Sequence, residues 1–295
     1  MERRNFIKTG GALALTQMIN MSGLSSLAAL AGSLPKSARM PLMFVGHGNP
    51  MNAITDNSFH RKWQEIGKSL AKPKAILSIS AHWTSTGTSV ATTAHPETIH
   101  DFGGFPKQLF EQQYPAPGSP EMANFTLELL KASHAQADTH WGLDHGTWSV
   151  LLPMFPLADI PVYQLSIYYD KAPEYHYQIG QQLASLRDKG VLILGSGNLV
   201  HNLYEVDWNN TGEKYDWALE FDNTFKHWIE KGDHKSAMDY KKILGSTADM
   251  AHPTNDHLLP LYYILGLQQK GESIQFFNDA FDMGSISMRS FIVGN

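Results

Sequence analysis

Four short apolar runs constrain this chain more than any other feature. LMFVG (42–46), AILSIS (75–80), VYQLSI (162–167) and VLILGSG (191–197) are rich in β-branched or aromatic residues, and three of them close on Gly or Ser. That is the signature of buried strands. Longer mixed segments separate them: FHRKWQEIGKSLA (59–71), PEMANFTLELLKAS (120–133) and PEYHYQIGQQLASLRDKG (173–190). The last has Pro173 near its start and Gly190 just past its end, as a capped helix would. Strand–helix–strand alternation predicts an α/β fold with a largely parallel sheet covered on both faces. SIQFF and SISMRSFIV, near the C-terminus, are expected to add edge or antiparallel strands. The 295 residues, 42% hydrophobic and 17% charged, suit one globular domain over residues 40–295.

Composition removes several kinds of chemistry. There is no cysteine, so thiolate nucleophiles, disulfides and Cys-ligated zinc are excluded. The formal charge is -5 and no basic run stands out beyond the first residues, which argues against nucleic acid as a partner. The chain lacks Gly-x-Ser-x-Gly, the P-loop and HExxH, so serine hydrolase, NTPase and zincin chemistry find no support. GSGN (195–198) offers at most an anion-binding nest and lacks the dinucleotide spacing. With 14 histidines, a transition-metal site would have to be built from imidazole and carboxylate.

Residues 1–39 read as an address. Arg3 and Arg4 precede Asn5-Phe6-Ile7-Lys8, a weakly apolar stretch, and small residues near Ala28 to Gly32. This order resembles a twin-arginine export signal and predicts a periplasmic protein, the alternative being an amphipathic helix of a cytoplasmic one. Removal near Gly32 would take Arg3, Arg4, Lys8 and Glu2 with it and leave a more acidic chain. Polar residues interrupt the apolar stretch, and no later segment is long enough to span a bilayer, so no stable membrane span is expected in the mature chain.

Ligands of open α/β sheets bind outside the carboxyl ends of the strands. His47 follows LMFVG, His82 follows AILSIS, and His201 follows VLILGSG. Parallel strands would bring these three to one rim, where Gly46 and Gly48 let the backbone approach a ligand closely. Thr254 is expected to cap a helix, with His257 in its first turn and His252 in the entry loop. His145 sits in a loop before another helix, which Thr147 is expected to cap. Imidazoles in such a cluster could hold Zn, Fe, Cu or Ni, for hydrolysis or oxygen activation. The segment 95–120, rich in Gly, Pro and aromatics, is a long irregular loop of the kind that often carries function.

Taken together, GHGNPMN (46–52), SAHW (80–83), IHDFGGFP (99–106), YPAPGSP (114–120), DHGTW (144–148), GSGNLVHNL (195–203) and HPTNDHLLPL (252–261) resemble the DOPA-type extradiol ring-opening dioxygenases. These belong to the class III, protocatechuate 4,5-dioxygenase β-subunit-like superfamily, and the resemblance spans about residues 40–295. It implies a three-layer α/β domain around a mixed, mostly parallel sheet. It implies one divalent non-haem metal held by His47, His82 and His257, with His201 as a further metal residue or the acid–base group. The wider superfamily often uses two His and a Glu, so three imidazoles are a departure that suits Zn(II) as well as Fe(II). The reactants implied are a catechol and O2, with His145 touching substrate or oxygen. His100, Trp83, Phe102 and His252 are expected on the substrate side, with Phe105 and Trp148 completing an aromatic wall. A zinc-dependent hydrolase using the same histidines is the competing reading, and a non-catalytic metal-binding protein of the cell envelope is a third. The sequence leaves open whether the chain forms a homo-oligomer.

Overall fold

A computed structural model describes residues 39–209 and 214–294. The segment expected to direct export, residues 1–39, therefore lies outside the described residues, apart from Arg39. The apolar runs form the central strands β1 (Leu42–Gly46), β2 (Ala75–Ser80), β3 (Val162–Gln164) and β4 (Val191–Gly197), every residue of them buried. Two C-terminal strands, β5 (Ile274–Phe277) and β6 (Ser290–Val293), complete a six-stranded sheet in the order β3-β2-β4-β1-β6-β5. β3, β2, β4 and β1 are parallel; β6 pairs antiparallel with β1, and β5 with β6. The sheet is mixed and mostly parallel, and the C-terminal strands are antiparallel as the sequence predicts. VYQLSI is the exception. Its last residues leave the sheet, and Ile167–Tyr168 pair with Thr84–Ser85 in a separate two-stranded ladder.

Side-chain alternation along the strands builds the three layers. Met43, Val45, Ile76, Leu192, Leu194 and Ile292 share one core with Trp63 and Ile66 of α1 (Ser58–Ser69) and Trp148, Val150 and Leu151 of α2 (His145–Met154). On the opposite face, Gly195 meets α4 (Leu259–Leu267), where an added Cβ would lie 2.8 Å from Ile264. α4 in turn packs on α3 (Pro173–Gln182). The sequence runs α3 on to the residue before Gly190. The structure breaks it at Leu183 and resumes with a short turn over Ala184–Arg187. Among the described residues, no helix is long and apolar enough to cross a membrane.

The α3–α4 layer carries a buried titratable group. His176 has no exposed surface; its Nδ1 lies 2.9 Å from the Tyr263 hydroxyl and its Nε2 3.3 Å from the Lys171 carbonyl. Burial lowers its pKa from 6.5 to about 4, against the opposing pull of the Lys171 carbonyl. Between those values the unfolded chain holds a proton that the folded chain refuses. Stability present above pH 6.5 is thus lost as pH falls towards 4, and the loss levels off below it. The full effect is roughly 3 kcal/mol. Denaturant unfolding at pH 7 and pH 4.5 should show a smaller acid loss in His176→Phe than in the wild type. Equal losses would remove His176 from the account.

Candidate metal centre

The carboxyl ends of β1, β2 and β4 converge, and imidazoles gather there. The His47 N–H donates to the Gly197 carbonyl (3.1 Å), extending the β1–β4 ladder by one residue. His82 follows β2 by two residues, its backbone N–H bonded to Ser80 Oγ at 3.2 Å. His257 arrives from the turn before α4. Its carbonyl accepts from the Asn198 N–H at 2.9 Å, pinning the turn to the end of β4. The three rings stand 5.0 to 5.1 Å apart, centroid to centroid, and their ligand nitrogens all lie within 4.8 Å of one another.

The partners of each Nδ1 set the tautomers. Ser196 Oγ gives its proton to the Gly146 carbonyl (2.5 Å), so it accepts from His47 Nδ1 at 3.0 Å. Asp256 Oδ2 lies 2.5 Å from His257 Nδ1 and Asp101 Oδ2 lies 3.2 Å from His82 Nδ1. Carboxylates only accept, so the bonded His257 Nδ1 carries its proton, and the Asp101 carboxylate, close to His82 Nδ1 but not aligned on it, favours the same tautomer there. All three Nε2 atoms are left with bare lone pairs. Two of them, on His47 and His82, face each other at 3.1 Å. Two acceptors that close, buried and without a proton between them, repel unless a cation lies between. Nitrogens bound at 2.0–2.1 Å in a tetrahedral site stand about 3.4 Å apart, so the spacing fits a first-row metal ion. Burial, then the neighbouring imidazoles, hold His47 well below the ordinary histidine pKa; the same causes lower His82, against the pull of Asp256. Neutral imidazole is the form that binds metal.

A second tier lies behind this triad. Asp101 Oδ2 is 3.0 Å from His145 Nδ1, and its Oδ1 accepts the His145 backbone N–H at 2.9 Å. Burial raises the Asp101 carboxyl, but the side-chain, charge and backbone interactions with His145 together outweigh it and the net shift is downward. His145, 6% exposed, sits 3.8 Å from His82 by ring centroids and meets the edge of Phe102 at 5.4 Å. Phe102 also packs on Phe105, Phe110 and Trp148. His201 stands beside the triad. Its ring stacks flat on His257 at 3.5 Å with an interplanar angle of 4°, and the convergent nitrogens come from His47, His82 and His257. Burial and then His257 lower its pKa well below 6.5.

Two residues expected on the substrate side are tied up elsewhere. His100 Nε2 lies 2.9 Å from the Gln112 carbonyl, its ring among Phe102, Phe110 and Trp148. His252 is 2% exposed, bonded to the Leu199 carbonyl at 2.8 Å and packed on Phe221. Both brace the loops that carry site residues. Trp83 stacks on Trp141 at 5.1 Å, and Trp148 donates its indole N–H to the Ile99 carbonyl at 2.9 Å. Two expected caps also move. Asp144, not Thr147, caps α2, so His145 is the first helical residue. α4 starts at Leu259 with Pro260 in its first turn, so Thr254 and His257 precede the helix.

The glycines answer to packing. Gly48 has φ +58°, a left-handed conformation, and a Cβ at Gly46 would lie 2.9 Å from the Met288 backbone. At Gly197 a Cβ would collide with the His257 carbonyl oxygen. GSGN is thus a seat for the His257 turn. Gly197→Ala should cost about 1–3 kcal/mol through overpacking and weaken metal binding by displacing His257. Wild-type stability and metal affinity in this variant would contradict that role.

A rim of converging imidazoles could hold a metal ion, and comparison with known proteins says what class of protein carries it. The model of the catalytic LigB subunit of aromatic ring-opening dioxygenase matches residues 37–287. A 4,5-DOPA dioxygenase extradiol of Escherichia coli (strain K12) is 44% identical over 262 residues, 88% of this chain and 96% of that protein. One from Beta vulgaris is 38% identical over 254 residues, 84% of this chain and 94% of that protein. A crystal structure of an uncharacterized protein from Escherichia coli K12 superposes with a TM-score of 0.74 at 38% identity, covering 87% of this chain and all of that one. The chain belongs to the LigB family of aromatic ring-opening dioxygenases. It is an oxidoreductase of the class III extradiol type, and the matches do not favour the zinc-hydrolase reading.

Proposed function

We propose that this chain opens the ring of a catechol bearing a DOPA-like side chain, at the bond beside its two hydroxyls, with Fe(II) held by His47, His82 and His257. The observation that carries the metal reading is the convergence of His47, His82 and His257, whose ligand nitrogens all lie within 4.8 Å of one another, with Nε2 of His47 and His82 3.1 Å apart. The names of the relatives support the substrate class. When bound, Fe(II) supplies the electron transfer between ring and O2 that redox-inert Zn(II) cannot. The protein's own groups do the rest. His201, kept neutral by burial and by its contact with His257, takes the proton of a substrate hydroxyl at a ring nitrogen and later returns it. His145 presents Nε2 to a substrate or oxygen-derived atom, its Nδ1 turned to Asp101. Phe102 and its aromatic neighbours cover His145 and limit water access. Protein loaded with Fe(II) under anaerobic conditions, then mixed with catechols and air, should consume one O2 per catechol and form a yellow semialdehyde about 32 mass units heavier than the substrate. No O2 uptake on any catechol, with ester turnover instead, would overturn the reading.

We further propose that the chain is exported by the twin-arginine route. Arg3 and Arg4 support this, as does a family match that begins at residue 37, after the leader. Residues 1–40 fused to a reporter should carry it out of the cytoplasm; retention there would reject export.

A further inference from the structure

The geometry points to a positioning role for Asp101, a residue that touches no reacting atom. It holds the metal ligand His82 and the substrate-side His145 in matching tautomers, so that ion binding and substrate contact depend on one carboxylate. This rests on the reading that His47, His82 and His257 hold the metal.

Asp101 uses both oxygens. Oδ2 lies between two imidazoles, 3.2 Å from His82 Nδ1 and 3.0 Å from His145 Nδ1, shared by both and aligned on neither. Oδ1 takes the His145 backbone N–H at 2.9 Å, at the first residue of α2. The His145 side chain is buried and its Nδ1 has no aligned hydrogen-bond partner among the described residues; the Asp101 carboxylate stands beside it at 3.0 Å. With both Nδ1 protons drawn to the carboxylate, both Nε2 atoms point away from it bearing lone pairs. One faces the ion site and the other is free for substrate. The loop is fastened on both sides of Asp101: Ile99 donates to the Leu143 carbonyl and accepts from the Trp148 indole, and Phe102 packs against His145. Outer partners of metal-bound histidines work in this way, by fixing ring orientation and tautomer.

An amide at position 101 has the same shape but cannot make the same bonds. Whichever way it turns, its NH2 group faces either the two Nδ1 atoms or the His145 backbone N–H. One imidazole must then move its proton to Nε2, or a donor must face a donor. Asp101→Asn therefore separates the acceptor role from packing.

The test uses full-length protein and Zn(II), a diamagnetic probe of the same site. Competition with a chelator should show Zn(II) affinity about 10- to 100-fold weaker in Asp101→Asn. Nitrogen-15 spectra of the Zn(II)-loaded wild type should show His82 and His145 both protonated on Nδ1, and the variant should show one of them protonated on Nε2. With Fe(II) saturating, kcat should fall more than KM changes. Asp159→Asn, which alters a surface pair with Lys72, should match the wild type throughout. Unchanged Zn(II) affinity and tautomers in Asp101→Asn would overturn the proposal. So would a second Zn(II) per chain that disappears with Asp101, because the carboxylate would then be a ligand. Should the variant not fold, a wild-type His145 protonated on Nε2 overturns the proposal unaided. A wild type that binds no Zn(II) at the triad would instead defeat the metal reading itself.

Discussion

His47→Ala is expected to weaken metal binding by more than about 100-fold, the upper end of what changes to outer partners cost, and to abolish ring opening. His47 is 1% exposed and shares the 3.1 Å approach of bare nitrogens with His82. If both nitrogens bear lone pairs, that approach is unfavourable in the folded state without a cation. A metal at 100 times its dissociation constant stabilises the wild type by about 2.7 kcal/mol. That increment should vanish in His47→Ala, while the metal-free variant loses none of it. Thermal unfolding with and without Zn(II) reads this directly. An unaltered metal-dependent rise in Tm would place the ion elsewhere.

His201→Asn should separate proton transfer from ligation. A positioned acid–base group contributes about 10²–10⁴-fold to rate, so kcat should fall in that range with one metal per chain retained. The stacked ring at 3.5 Å from His257 supports this outcome, because the convergent nitrogens come from the other three histidines. Loss of the metal from His201→Asn would make His201 a ligand. Full activity would remove it from the chemistry.

The strands were legible because local signals agreed. LMFVG, AILSIS and VLILGSG are strands over the residues the sequence delimits. VYQLSI was legible only in its first half, since Ile167 and Tyr168 are drawn out of the sheet by pairing with Thr84 and Ser85. Helix starts were less legible. Asp144 out-competes Thr147 as cap because its carboxylate also takes the Ser80 hydroxyl and the Gln164 amide. Pro260 delays α4 beyond Thr254.

The site was legible at the strand ends, where position in an α/β sheet singles out His47 and His82. It was not legible where a histidine's role depends on what a distant segment brings to its nitrogens. Nothing near His100 or His252 in sequence announces the Gln112 or Leu199 carbonyls that occupy them. Asp101, Ser196 and Asp256 were missed for the converse reason. An acid in a Gly-rich loop and a serine between glycines read as solvated or turn residues until the fold sets them against Nδ1 atoms. One signal was available: Asp256 and Asp101 each adjoin a histidine in sequence, as His257 and His100 show.

Anomalous scattering at the metal edge, from crystals of the Zn(II)- or Fe(II)-loaded protein, tests the central claim most directly. The account predicts a single peak within about 2.0–2.2 Å of Nε2 of His47, His82 and His257, with Asp101, Asp256 and Ser196 on the far sides of those rings. A peak between Asp101 and His145, or coordination through any Nδ1 of the triad, would contradict it.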